Sequence, residues 1–164
     1  MERIDDIDVK ILNLLQENGR MKRNRIAEEV GLSVPSVSER MRKLEERGVI
    51  TGYHAVVDAK RLHVDITAFI RVMVDRSEHY SEFVNRALAL DEVLEVHSIT
   101  GEGSHILKVR TRNTTTLERL LSQVQAWPGV HGSSTSIVLS TFKETRRIRP
   151  VPMELVDYEQ MEAA

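Results

Sequence analysis

The chain has 164 residues, 23 of them Lys or Arg and 25 Asp or Glu, for a net charge of −2; 41% are apolar and none is cysteine. Without cysteine there is no disulfide framework, no thiolate zinc site and no thiol nucleophile. The best apolar run, Ile66 to Val74, carries Arg71 and falls short of the ~18 residues a membrane helix needs. The acidic opening Met1-Glu2-Arg3-Ile4-Asp5-Asp6 lacks the basic-then-apolar layout of a signal peptide, so a cytoplasmic chain with no membrane partner is expected, of one domain or two small ones.

Residues 1–50 read as three helices. Ile4, Ile7, Ile11, Leu14 and Leu15 recur at helical spacing. Asp5 is the candidate N-cap, with Asp8 in the first turn where the helix dipole favours a carboxylate. Asn18-Gly19, both tolerant of the left-handed conformation, end this helix. A second helix spans about Lys22 to Val30 with Ile26, Ala27 and Val30 inward; Gly31 breaks it and Leu32 fills the corner. The third begins at Ser33 as N-cap, tolerates Pro35 in its first turn and stops before Gly48. Val34, Val37, Met41 and Leu44 fall on its core side.

Residues 51–65 form a connector, partly extended around Tyr53 to Val57, and residues 66–144 change period. Ile66, Ala68, Ile70, Val72 and Val74 alternate as a strand; Tyr80, Phe83, Val84, Ala87 and Leu88 return to helical spacing. Val93–Thr100 and Ile106–Arg112 are two strands joined by the hairpin signal Gly101-Glu102-Gly103-Ser104. A helix through Leu117, Leu120, Leu121 and Val124 stops at Pro128-Gly129, and Val130 to Phe142 supply a last strand. The order βαββαβ is the ferredoxin-like pattern, so the fold class is α+β. Residues 145–164 read as a tail, basic at Arg146-Arg147-Ile148-Arg149 and expected to be solvated.

The spacing of Ala27, Gly31 and Val37 is that of a helix-turn-helix: a small residue lets the third helix cross closely, glycine makes the sharp turn, and valine seals the pair. The opposite side of the third helix offers Pro35, Ser36, Glu39, Arg42, Lys43 and Glu46, flanked by Ser38 and Arg40, with Ser33 at its start. Such groups can hydrogen-bond base edges of double-stranded DNA. Arg20, Lys22, Arg23 and Asn24 stand at the entry to the second helix, placed for phosphates. Between Arg20 and Arg47 eight basic residues face five acidic ones, a local excess of positive charge in a chain that is negative overall.

Each half is small, and a domain of roughly 60 residues is marginal alone. In the 66–144 block two helices can cover only one face of the sheet. Phe69 and Met73, on the other face with Thr67 and Arg71, need a second cover, and a second copy of the sheet supplies it, so a homodimer through this block is expected.

These residues resemble the leucine-responsive regulatory protein/AsnC family of transcription regulators. The likeness runs in order through Ile4-Asp5, Asp8, Ile11-Leu12, Leu15-Gln16, Gly19-Arg20, Ile26-Ala27, Gly31-Leu32-Ser33, Val37, Arg40, Leu44-Glu45, Gly48-Val49-Ile50 and Gly52-Tyr53. It continues through Thr100-Gly101, Ile106 to Val109, Trp127-Pro128-Gly129-Val130 and Thr135 to Leu139, covering about residues 3 to 144. It implies an N-terminal DNA-binding domain and a C-terminal domain that senses a small-molecule effector, an amino acid or relative, and oligomerises to dimers, tetramers or octamers. By this analogy the effector site involves Thr100, Gly101, Gly103 and Ser104 with Ser134, Thr135 and Ser136. Ser104 stands where many members carry an acidic residue, and Glu102 is the candidate substitute.

Other signals point elsewhere. His97 and His105 lie on the two hairpin strands, and register decides whether they meet at a metal or acid–base site. They are the support for the alternative, an enzyme on the same scaffold resembling tetrapyrrole decarboxylases; the basic third helix argues against it. Gly101 and Gly103 precede a strand rather than a helix, so no dinucleotide loop is read there. No catalytic residue, metal or cofactor is expected. An RNA-binding βαββαβ module needs stacking aromatics on its central strands, and Ile106 to Arg112 has none.

Overall fold

A computed structural model describes residues 3–154. In chain order the elements are β1 (Arg3–Ile4), α1 (Asp6–Glu17), α2 (Arg23–Val30), α3 (Val34–Glu46), β2 (Ile66–Val74), α4 (Tyr80–Leu88), β3 (Val93–Ser98), β4 (His105–Thr111), α5 (Thr114–Gln125), β5 (Val130–Ile137) and β6 (Met153–Glu154). They sort into two compact units, one holding the described residues 3–56 and 145–154, the other Val57–Glu144.

In the first unit Ile11, Leu12, Leu15, Ile26, Ala27, Val37, Met41 and Leu44 close one apolar core. Asp5 caps α1 through Oδ1, which accepts from the N–H groups of Ile7 and Asp8 at 2.9 Å each. Asp8 Oδ2 accepts in return from the Asp5 N–H at 3.2 Å, completing a capping box. Gly31 takes φ +70°, the left-handed conformation the tight turn between α2 and α3 requires. Four expectations change. Ile4 belongs to β1, paired with Met153, rather than to the helix. Asn18 ends α1 in an extended conformation, not a left-handed one, and Gly19 is not among the glycines of positive φ. Val34 is 42% exposed because it starts α3 beyond the reach of the core. Residues 145–154 are not a free tail; the rest of the stretch read as a tail, 155–164, lies outside the described residues. The Gln16 side chain grips the Ile148 backbone at both ends, Ile148 N–H donating to Oε1 at 2.8 Å and Nε2 donating to Ile148 O at 3.1 Å. Arg147 pairs with Glu17 at 2.9 Å, and β6 then pairs antiparallel with β1.

The second unit is a four-stranded antiparallel sheet in the order β3-β4-β2-β5. Ala68, Ile70, Val72 and Val74 of β2 face a core shared with Phe83, Ala87, Leu107, Val109, Leu117, Leu120, Val124 and Trp127, so α4 and α5 cover that face. Phe69 and Met73 remain 38% and 37% exposed on the other. There Lys108 bridges Glu95, at 3.1 Å, and Glu144, and Arg110 reaches Glu144 at 3.2 Å. β5 ends at Ile137, earlier than the strand read to Phe142; Leu139 and Phe142 are almost fully exposed, without strand neighbours to pay for their backbone ordering. Residues 53–57 form no strand, and Lys60–Leu62 make a single 3-10 turn. Between Met73↔Gly132 and Val74↔Val130 the register slips, leaving His131 as a bulge. Among the described residues no helix is long and apolar enough to cross a membrane.

Candidate nucleic-acid interface and effector site

The exposed side of α3 is built from its first residue. Ser33 Oγ accepts the Ser36 N–H at 3.3 Å and lies 2.8 Å from the Ser36 hydroxyl, fixing the start of the helix; Pro35, with no N–H to lose, follows in the first turn. Val37, Met41 and Leu44 anchor the inner side, which turns Ser36, Glu39, Arg42 and Lys43 outward. The Arg42 fork donates to Glu39 through Nε (2.9 Å) and Nη2 (2.7 Å), and its Nη1 donates to Glu46. Lys43 Nζ stands 3.6 Å from Glu39. The hydrogen-bonded Arg42 fork, with help from Lys43, holds the Glu39 carboxyl below its ordinary range, and the two glutamates raise Arg42. At the entry to α2, Arg20, Lys22, Arg23 and Asn24 are all exposed. Lys22 is the helix N-cap with no side-chain cap bond, the Arg25 N–H is capped by Asn24 Oδ1 at 2.9 Å, and the positive end of α2 stands beside exposed basic side chains, an arrangement that suits phosphates.

Arg40 departs from the expected role. Its Nη1 donates to Asp5 Oδ2 and Asp8 Oδ1, 2.8 Å each, so all four oxygens of the capping box are used and α3 is tied to the start of α1. Burial pushes the Asp5 carboxyl up, but the Asp8 N–H and the Arg40 guanidinium outweigh it and hold it below the usual carboxylate range. The Asp8 hydrogen bond, with that of Asp5, raises Arg40. Arg40 therefore positions α3 and is not a free base-reading group. Sequence reasoning missed Tyr53, whose Oη donates to Glu45 Oε1 at 2.8 Å and staples the chain leaving α3 back onto it. Burial, then the Glu45 carboxylate, push its phenol up to about 12.

In the second unit a concavity of about 330 Å³ opens at the β3–β4 hairpin. Gly101, Gly103 and Ser104 line it, together with Met73, Tyr80 and the bulged His131, which sequence could not have placed there. Gly103 has φ +89°, and a Cβ on it would meet Val72 O at 3.0 Å, so only glycine fits this wall. The Ser104 hydroxyl is already engaged: it accepts from the Val74 N–H at 3.0 Å and stands 3.3 Å from Val72 O and 2.9 Å from His105 Nδ1. Thr100 and Glu102 are not in the lining; Glu102 points to solvent, 4.0 Å from Arg71 Nη1. Ser134, Thr135 and Ser136 are also outside it, inside β5 and opposite Arg71, Ile70 and Phe69. They lie further along β5 than His131, away from the Met73 end of the β2–β5 pairing that borders the concavity.

The two hairpin histidines do not meet. His105 pairs with Val72 on the helix-covered side, while His97 pairs with Ile106 and bonds Glu95 on the other. His105 is fully buried against Tyr80 and Phe83, with ring centroids 4.8 and 4.7 Å away, and its Nε2 has no partner among the described residues. Burial pushes its imidazole below the ordinary value of 6.5. Below pH 6.5 the unfolded chain therefore takes up a proton that the folded unit resists, so stability falls as pH drops through that value toward the folded one. Thermal unfolding followed at pH 7.5 and pH 5.5 should show a loss at the lower pH that shrinks in His105→Gln.

Comparison with known proteins agrees with this layout. A winged helix-turn-helix DNA-binding family matches residues 4–51, and the family described as the Lrp/AsnC ligand binding domain matches residues 67–148. The chain is 37% identical over 145 residues to the HTH-type transcriptional regulator FL11 of Pyrococcus horikoshii, covering 88% of this chain and 95% of that one. It is 32% identical over 145 residues to the leucine-responsive regulatory protein of Haemophilus influenzae, covering 87% of each. The structure of AsnC from E. coli superposes with a TM-score of 0.83 at 30% identity, over 90% of this chain and 99% of that one. A feast or famine regulatory protein of M. tuberculosis complexed with L-methionine superposes at 0.84 and 31%, with the same coverage. These relatives are transcriptional regulators, which gives the decarboxylase alternative no support. The chain belongs to the Lrp/AsnC family of transcription regulators.

Proposed function

We propose that this regulator reads duplex DNA with Ser36, Glu39, Arg42 and Lys43 of α3 while Arg20, Lys22, Arg23 and Asn24 hold the phosphates, and that it does so as a homodimer. The observation that carries the reading is the exposed basic entry to α2 beside an outward polar flank of α3 whose inner side is locked in the core. Dimerisation is supported by the uncovered sheet face, where Phe69 and Met73 are partly exposed. A second copy would bury them, and two-fold pairing presents two reading helices to two half-sites. Tetramers or octamers would follow from further contacts between dimers. The effector is a small molecule of the amino-acid class, received at the concavity of Gly101, Gly103 and Ser104, where glycine N–H groups suit a carboxylate. L-Methionine, bound in the M. tuberculosis relative, is the first candidate to try.

The test is binding to the chain's own upstream DNA across a salt series, with and without each proteinogenic amino acid. Affinity should fall steeply with salt, by roughly 0.9 in log–log slope for each phosphate contact. Lys43→Ala should weaken binding, and one amino acid should shift it. Absence of binding at low salt defeats the DNA reading, and indifference to every amino acid defeats the effector reading.

A further inference from the structure

On α3 a single carboxylate faces two bases. Glu39 accepts two hydrogen bonds from Arg42, and its Oε1 stands 3.6 Å from Lys43 Nζ; the remaining Arg42 amino group is taken by Glu46. In the free protein this quartet carries no net charge, so the middle of the reading helix offers phosphates little attraction. All four side chains are about half exposed, and ion pairs in that setting are weak and open readily when a better partner arrives.

We infer that Glu39 is a specificity-determining residue that acts by withholding Arg42 and Lys43 from DNA until a duplex offers Glu39 a donor of its own. This rests on the DNA-reading role of α3 proposed above. A duplex presents a carboxylate with phosphates and acceptor-lined base edges, both of which repel it; the exception is an exocyclic amino group, above all cytosine N4 in the major groove. Arg42, once released, fits the O6 and N7 of guanine as a bidentate fork. A G·C pair, or two neighbouring ones, therefore satisfies both members of the opened pair. Any other sequence separates Glu39 from its bases and returns at most an adenine N6, with no guanine for the Arg42 fork. The residue lowers affinity everywhere but lowers it least at the right site, and specificity is that difference.

The experiment uses the full chain and its Glu39→Gln and Glu46→Gln variants, whose substitutions lie on the exposed side of α3 and whose far-UV circular dichroism should match. The probes are a 30-base-pair duplex of random sequence, titrated across a salt series, and a random duplex pool from which each protein selects its sites. Glu39→Gln should bind the random duplex roughly threefold tighter or more, with a salt slope steeper by about one, as one more cation reaches a phosphate. Its selected sites should lose a G·C preference at one position per half-site, drifting toward A·T, the pair glutamine prefers. The ratio of selected-site to random-duplex affinity should drop about tenfold, the usual cost of one mismatched pair. Glu46→Gln, which loosens only the Arg42 Nη1 contact and leaves the Glu39 fork in place, should tighten random binding while keeping the wild-type sites. Unchanged random binding or unchanged sites in Glu39→Gln overturn the inference, as does Glu46→Gln shifting the sites in the same way. Failure of the wild-type chain to bind any duplex at 50 mM salt overturns the reading of α3 itself, and the inference with it.

Discussion

Arg40→Ala is expected to destabilise the first unit by about 2–3 kcal/mol, less than the cost of orphaning a fully buried charge because the guanidinium is itself about a third exposed. The reason lies in what Arg40 leaves behind. Asp8 is 6% exposed, and its Oδ1 accepts only from Arg40 among the described contacts; Asp5 Oδ2 is in the same position. Without the guanidinium a nearly buried carboxylate keeps one oxygen without a donor, and α3 loses its tie to the start of α1. Urea unfolding followed by the helical signal measures the loss. Asp8→Asn in the Arg40→Ala background should then cost far less than in the wild type, since no charge is left stranded, and the cycle should show a coupling of about 1 kcal/mol or more. An additive cycle would mean that the bridge contributes nothing. DNA binding by Arg40→Ala, measured where the variant is folded, should persist, which separates a positioning role from a base-reading one.

Phe83→Ala is expected to cost about 3–5 kcal/mol, in the second unit alone. The ring is 1% exposed, 5.5 Å from Trp127 edge to face and 4.7 Å from His105, so its removal opens a void between α4, the end of α5 and β4. Trp127 is the chain's one tryptophan and sits in this core, so its fluorescence reports on the second unit. The tryptophan transition should move to much lower urea in Phe83→Ala and stay in place in Arg40→Ala. The two units have separate apolar cores, Ile11 and Val37 in one and Ile70 and Leu107 in the other. A shift of both transitions by either variant would show that the cores do not unfold separately.

The parts legible in the sequence were those with a local period or a local stereochemical demand. Ile70, Val72 and Val74 could be assigned to one face of a strand from alternation alone, and Gly31 to a sharp turn because the αL conformation at that corner suits glycine. Ser33 and Asp5 announced their caps because the donors they satisfy are two or three residues away. What stayed hidden depends on partners far along the chain. Arg40 looked like one more exposed base on α3, and nothing within a helical turn betrays that Asp5 and Asp8 claim it. The two-residue strands β1 and β6 are too short to carry a period and exist only as a pair. The bulge at His131 is a mismatch of register between two strands, invisible in either one, and which β5 residues border the hairpin glycines depends on the β2–β5 register: His131 does, Ser134 and Ser136 do not.

The pairing of β1 with β6 carries a consequence for anyone dissecting this regulator. The DNA-reading module is assembled from two stretches of polypeptide, and the sensory module is spliced between them like a guest sequence in a host. A gene fragment stopped at residue 56 would deliver the three helices without the Gln16–Ile148 clasp or the closing strand. An independent reading head calls for residues 145–154 grafted behind residue 56 through a short linker, or supplied as a separate peptide.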